Sequence, residues 1–359
     1  MKSVYIHIPF CKTICSYCDF CKMYYNSIFV NNYLNSLKKE IELNYKGEEI
    51  ETLYIGGGTP NSLNKEELIK LFDIIKKIHL SDEVEFTIEC NIELIEEDIL
   101  KLFKDNKVNR ISIGIESIDE NNLNYLNRNY NKQLVLEKMK LVKKYFDNIN
   151  VDLIYALKNE SIETLEKDID FILELDVKHI STYSLIIEDN TILGINKEKN
   201  IDEDLDYEMY QLIIKKLKDY HHYEISNFSK IGYESKHNLT YWNNEHYYGF
   251  GLGASGYINN IRYDNTRSLN NYVKGNYRLN EEIIDKELDK EYELILGLRL
   301  LDGININKYN SKFNEDLLEN KVIKKLINEN KLIVEDKYLK INKEYIYVSN
   351  DILVEIIGG

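Results

Sequence analysis

The chain has 359 residues, with 46 Lys and Arg against 61 Asp and Glu, for a formal net charge of −15. That balance excludes a general nucleic-acid binder, whose phosphate contacts need a cation excess, and no apolar run approaches the roughly 20 residues that span a bilayer. The opening residues Lys2-Ser3-Val4-Tyr5 enter a strand-like pattern without the apolar stretch of a secretory signal, so a cytoplasmic globular protein is expected, at most peripheral to a membrane.

From residue 3 to about 187, short β-rich runs alternate with amphipathic helical stretches. Strands are predicted at 4–8, 52–55, 84–89, 110–115, 151–155 and 179–186, and helices at 30–43, 65–78, 95–103, 132–145 and 162–175. Asn64 and Ser161 read as N-caps, each followed by acids in the first helical turn. This alternation predicts βαβ units and a parallel sheet. Six units make an α/β fold, a partial (β/α)6 barrel, with a doubly wound sheet as the other option; in both, ligands collect at the C-terminal strand ends.

After residue 187 the pattern changes. A polar stretch to 206 precedes a helix around 207–219, then a less regular region holding 237–242 and a glycine-rich run at 249–256. Helices at 286–301 and 315–328 and strand pieces at 331–335 and 339–341 predict a small C-terminal α+β lobe of winged-helix type. The expected organisation is a (β/α) core over 1–200, a barrel extension over 201–279 and the lobe over 280–359.

Four of the five cysteines fall in one window: Cys11, Cys15, Cys18 and Cys21. An odd total crowded at one end is a poor disulfide framework and suits metal binding. Cys11, Cys15 and Cys18, spaced C-x3-C-x2-C, can hold three irons of a [4Fe–4S] cluster and leave the fourth open. A zinc knuckle using Cys21 is the plainer alternative, although no second ligand pair follows. Cys90 reads as a small buried residue.

The run from Tyr5 through Pro9-Phe10-Cys11, Cys15, Tyr17-Cys18-Asp19-Phe20 resembles the radical S-adenosylmethionine (SAM) superfamily. Within it, the resemblance is to the branch of oxygen-independent coproporphyrinogen dehydrogenases and HemW heme chaperones. Gly56-Gly57-Gly58-Thr59-Pro60 is by itself a tight βα turn or a loop whose amides could meet an anionic ligand. In this setting it resembles the superfamily's SAM-binding motif. The resemblance implies SAM contacts at Tyr5, Gly57, Gly58, Thr59, Glu89, Glu116, Arg128 and Asp152, with Glu116 standing where the family usually has glutamine. Taken singly, the strand-end acids are equally suited to caps or ion pairs. Ala156-Leu157-Lys158 replaces a usual Gly-Leu-Pro. The chain's only two prolines, Pro9 and Pro60, both flank this predicted site.

Two features separate the branches. Phe20 stands where the dehydrogenases have a further cysteine, and Tyr5 is almost the first residue where they carry a longer N-terminal segment. His237-Asn238-Leu239-Thr240-Tyr241-Trp242 matches the H-N-x-x-Y-W motif of the chaperones. The match implies heme contacts at His237, Asn238, Tyr241 and Trp242, with His237 as iron ligand; a buried histidine among packed aromatics is the plain alternative. The implied function is a heme chaperone that loads apo-hemoproteins, with a reductant protein and a second copy as further partners. The alternative is oxidative decarboxylation of coproporphyrinogen III.

Overall fold

The computed structural model describes residues 2–358. Six parallel strands occur in chain order as neighbours: β1 (Ser3–Ile8), β2 (Ile50–Gly57), β3 (Leu80–Asn91), β4 (Arg110–Glu116), β5 (Asn148–Tyr155) and β6 (His179–Ser184). Five helices connect them in the (β/α) manner: α1 (Ser27–Asn44), α2 (Lys65–Ile75), α3 (Glu97–Asp105), α4 (Lys132–Val142) and α5 (Ile162–Glu174). The predicted caps are made. Asn64 and Glu67 form a reciprocal capping box, both bonds 2.9 Å, and Ser161 accepts from the Thr164 amide at 3.2 Å. These caps satisfy helix-terminal amides that would otherwise stay unpaired beside the strand ends.

Parallel strands buried on both faces usually read as continuous apolar runs. Here they alternate. Val4, Ile6, Leu53, Phe86, Ile111 and Val151 pack into the core, whereas Tyr5, Tyr54, Glu89, Ser112, Asp152 and Tyr183 line cavities. The period-2 geometry of a strand sends successive side chains to opposite faces, so the polar half of each strand faces an internal chamber.

The sheet grows at both edges to twelve strands. Beyond β6 lies an antiparallel hairpin, β7 (His221–Glu224) and β8 (Asn227–Ser229), which follows α6 (Glu203–Lys216). Beyond β1 lie β9 (Tyr247–Phe250), β10 (Ser255–Ile258), β11 (Ile261–Asn265) and β12 (Arg278–Ile283). The strand character of 261–265 and 278–283 went unread in the sequence. The region expected to be irregular around 237–242 is a helix, α7 (Lys236–Trp242), capped by Ser235 Oγ on the Asn238 amide at 3.3 Å. The last part of the chain holds α8 (Lys286–Gly297), two further helices (Ile306–Phe313 and Lys321–Asn328) and a three-stranded antiparallel sheet, the small α+β arrangement anticipated. Among the described residues, no helix is long and apolar enough to cross a membrane.

Candidate functional site

The cysteine loop leaves β1 and returns as Met23–Tyr24, which pairs with Phe10–Cys11. Its middle is pinned from across the sheet. Ser16 donates through its amide to Leu126 O (3.1 Å) and through Oγ to Tyr125 O (2.6 Å), and Asn127 Nδ2 donates to Ile14 O (2.7 Å). Cys11 is buried, and Cys15 and Cys18 are half-buried. Burial pushes the Cys11 thiol up to about 11, against the pull of a hydrogen bond from Thr59 Oγ1 at 3.4 Å. It raises Cys15 and Cys18 as well, opposed by Arg128 and Lys22 respectively. Arg128 Nη1 lies 3.6 Å from Cys15 Sγ. These are neutral thiols that become thiolates when a metal takes the proton's place.

All three face one cavity of about 340 Å³, together with Gly57, Gly58, Thr59, Glu89, Glu116, Arg128 and Asp152. Its glycine loop is shaped by its neighbours. Gly57 has φ +110°, and a Cβ there would stand 2.3 Å from the His7 ring; one at Gly58 would stand 3.0 Å from Cys11 Sγ. The loop amides are not free to cradle an anion. Gly57 N donates to Glu89 Oε2 (2.9 Å), Gly58 N to Ile8 O (2.8 Å) and Thr59 N to Phe10 O (2.9 Å). The loop therefore offers a ligand an unobstructed surface rather than a ring of open donors.

Burial raises all three carboxylates, each against its own hydrogen-bond donors. Glu89 is held by the Gly57 amide and by Tyr54 OH (2.8 Å), and burial brings it up to about 7. Glu116, in a left-handed conformation at φ +58°, accepts from Tyr17 OH (3.0 Å) and is also brought up to about 7 by burial, with Arg128 pulling the other way. Arg128 Nη2 donates to Gly114 O (2.8 Å) and stands 3.7 Å from Glu116, while its buried Nε has no partner. Asp152 accepts from Asn150 Nδ2 (2.8 Å) and is raised by burial.

A second cavity of about 710 Å³ adjoins the first. Phe20, Tyr54, Gly57, Glu89, Tyr183 and Asn238 border both. Tyr5 lines this larger cavity and not the cysteine cavity, because its position on β1 lies below the loop; its hydroxyl meets His7 Nδ1 at 2.9 Å. Cys21 lines it too, turned away from the other three cysteines and set against Gly253. Cys21 and the set Cys11, Cys15 and Cys18 thus border different cavities, whereas a zinc knuckle closed by Cys21 needs them on one.

His237, Asn238 and Tyr241 line the larger cavity, but Trp242 does not. Trp242 ends α7 under the Arg299 guanidinium, 4.9 Å from its ring centre, on the side of the C-terminal lobe. His237 is 1% exposed, with Nδ1 2.8 Å from Thr52 Oγ1 and Nε2 2.7 Å from Tyr241 OH. Both ring nitrogens are occupied and burial lowers the ring to about 3. The expected iron ligand here bridges β2 and α7, with each ring nitrogen hydrogen-bonded to a hydroxyl.

Comparison with known proteins decides the family. Residues 5–172 match the family model of the radical SAM superfamily, and residues 290–346 match that of the HemN C-terminal domain. The heme chaperone HemW of Lactococcus lactis is 38% identical over 349 residues, covering 94% of this chain and 92% of that protein. The chain belongs to the HemW family of the radical SAM superfamily. The HemW of Escherichia coli strain K12 is 32% identical over 316 residues, covering 84% of this chain and 83% of its own. The solved structure of coproporphyrinogen III oxidase (HemN) from Escherichia coli superposes with a TM-score of 0.86 at 19% identity, over 98% of this chain and 89% of that one, which shows the shared fold.

Membership of the radical SAM superfamily brings a [4Fe–4S] cluster and SAM, and the residues of this HemW-family chain suit both. Three thiols share one wall, and the buried Arg128 Nε lacks a partner in the same cavity. His7, Tyr54, Tyr183 and Arg110 also border the cavities and were not singled out in the sequence. Their signal was available: each is an inward position in an alternating strand.

Proposed function

We propose that this protein binds heme and passes it to apo-hemoproteins, using a [4Fe–4S] cluster on Cys11, Cys15 and Cys18 and SAM beside it. The observation that carries this reading is the pair of cavities with a common wall, one holding the three cysteines and the other walled by Tyr5, Tyr54, Tyr241 and Tyr247. The relatives' name, heme chaperone, supports it. The cluster, when bound, supplies an open iron at which SAM coordinates. SAM's remaining contacts in this reading are Gly57, Gly58, Thr59, Glu89, Glu116, Arg128 and Asp152. Glu89, fixed by Tyr54 and Gly57, accepts from the ammonium group, and Arg128 meets the carboxylate through its unpaired Nε.

For heme, flat aromatic walls suit a porphyrin face. The exposed Arg267 at the mouth suits a propionate. Asn238 stands on the common wall, Tyr241 is held in place by His237, and Tyr5 lines this cavity. Partners in this reading are an apo-hemoprotein acceptor, a reductant protein and a second copy of the chain.

The test is a Soret titration of the cluster-reconstituted protein with heme, followed by mixing with an apo-hemoprotein. Saturable binding and transfer are expected. Formation of protoporphyrinogen from coproporphyrinogen III under anaerobic reducing conditions, without heme transfer, would assign the chain to dehydrogenase chemistry instead.

A further inference from the structure

One buried charge stands in the chamber without a counterpart. Arg110 opens β4, is 2% exposed, and borders the cysteine cavity. In register it pairs with Thr87 of β3 and Asn148 of β5, one inward rung below the Glu89–Ser112 pair. Its Nε has no hydrogen-bond partner, and among the described residues no carboxylate lies within ion-pair distance of its guanidinium. An arginine enclosed this way is costly unless the chamber uses its charge.

The groups around it show what that charge acts on. From β3 comes Glu89 and from β5 Asp152, both bordering the same cavity. The others are Tyr54 of β2, His179 of β6, Tyr223 of β7 and His237 of α7. Both histidines are buried and neutral, with their ring nitrogens already bonded: His179 to Asn150 (2.6 Å) and Tyr223 (2.8 Å), His237 to Thr52 and Tyr241. Arg128, the other arginine of this cavity, lies toward the strand ends against Gly114 and Cys15. Arg110 is therefore the fixed cation beneath the two carboxylates.

We propose that Arg110 is a positioning residue for SAM: its unpartnered guanidinium, one inward rung beneath Glu89 and in the same cavity as Asp152, supports the two carboxylates as acceptors for the hydrogen-bond donors of the bound molecule. This rests on the reading of the cysteine cavity as the SAM site. Burial, and to a lesser degree Asp152, drive Glu89 toward protonation, opposed by the Gly57 amide, the Tyr54 hydroxyl and the guanidinium; Asp152 is opposed by Asn150, Ser181 and the same guanidinium. Removing the cation shifts the balance to the neutral acids, which accept fewer hydrogen bonds and donate one.

The experiment is equilibrium binding of SAM to cluster-reconstituted wild type, Arg110→Gln and Arg110→Lys across pH 6 to 9, with iron content and thermal melting recorded for each. Arg110→Gln is expected to bind about fivefold more weakly at pH 7, the loss of ionised Glu89 when its value rises by about one unit from about 7, and to recover toward wild type at pH 9. Arg110→Lys keeps the charge and should stay near wild type at pH 7. Unchanged affinity in Arg110→Gln, or an equal loss at every pH with no rescue by lysine, would overturn the proposal. Absence of SAM binding by the wild type would overturn the reading of the cavity and the proposal together. Heme titration of the same samples reports on the chaperone reading separately.

Discussion

Cys18 and Cys21 are three residues apart, yet they border different cavities. That separation predicts opposite results for similar changes: Cys21→Ser should retain the iron and brown chromophore of the reconstituted protein, and Cys18→Ser should lose most of both, as metal analysis would show. A second residue-scale prediction concerns Glu160, buried and bonded to Asn122 Nδ2 and the Leu157 amide, both at 3.1 Å. Burial raises its carboxyl to about 8 from an ordinary 4.5. A raised folded-state value favours the folded protein fully below about 4.5, and the contribution is lost as pH climbs through about 8. The slope is about 1.4 kcal/mol per pH unit within that window. Glu160→Gln should therefore flatten the fall in melting temperature between pH 5 and 8.5; an unchanged profile would contradict the assignment. That Cys11, Cys15 and Cys18 share one cavity was legible because their spacing alone keeps them close. Tyr5 and Trp242 were not, since their surroundings depend on strand depth and on Arg299, a residue 57 positions from Trp242 in sequence.

At the scale of elements, alternation in β1–β6 carried the most information. Core residues and chamber residues trade places at every step, which is why both the strands and their polar ends could be read. The short strands β10 to β12 were hidden although β10 and β11 form a hairpin over Asn259-Asn260, both at positive φ, because polar residues interrupt their alternation and Leu279 and Ile283 on β12 are exposed. Helix α7 was hidden for another reason: seven residues give too little periodicity, and its start depends on the Ser235 cap. Ser235→Ala should lower stability by about 1 kcal/mol and weaken heme binding through displacement of His237 and Tyr241, measured by melting and Soret titration. In the glycine loop, Gly58→Ala places a methyl carbon 2.8 Å from Ile8 O and 3.0 Å from Cys11 Sγ. The Ile8 backbone and Cys11, a cluster ligand in the proposed reading, cannot both yield, so this variant should show reduced iron content after reconstitution.

Across the whole molecule, the six-strand core presents two adjoining chambers, and the added strands β9–β12 supply the far wall of the larger one through Tyr247, Ser255 and Asp264. The C-terminal lobe touches the motif helix through Arg299 and Trp242, so that tryptophan ties parts of the fold together outside either chamber. The central claim is that heme occupies the aromatic chamber beside the cysteine cavity. Its most direct test compares Soret titrations of Ser255→Trp, which places an indole at the exposed rim of the larger chamber, with those of Trp242→Phe, both carrying the reconstituted cluster. Heme affinity should fall about tenfold or more in Ser255→Trp, with SAM binding retained, and remain near wild type in Trp242→Phe. Undiminished heme binding in Ser255→Trp, with its loss in Trp242→Phe, would contradict the account.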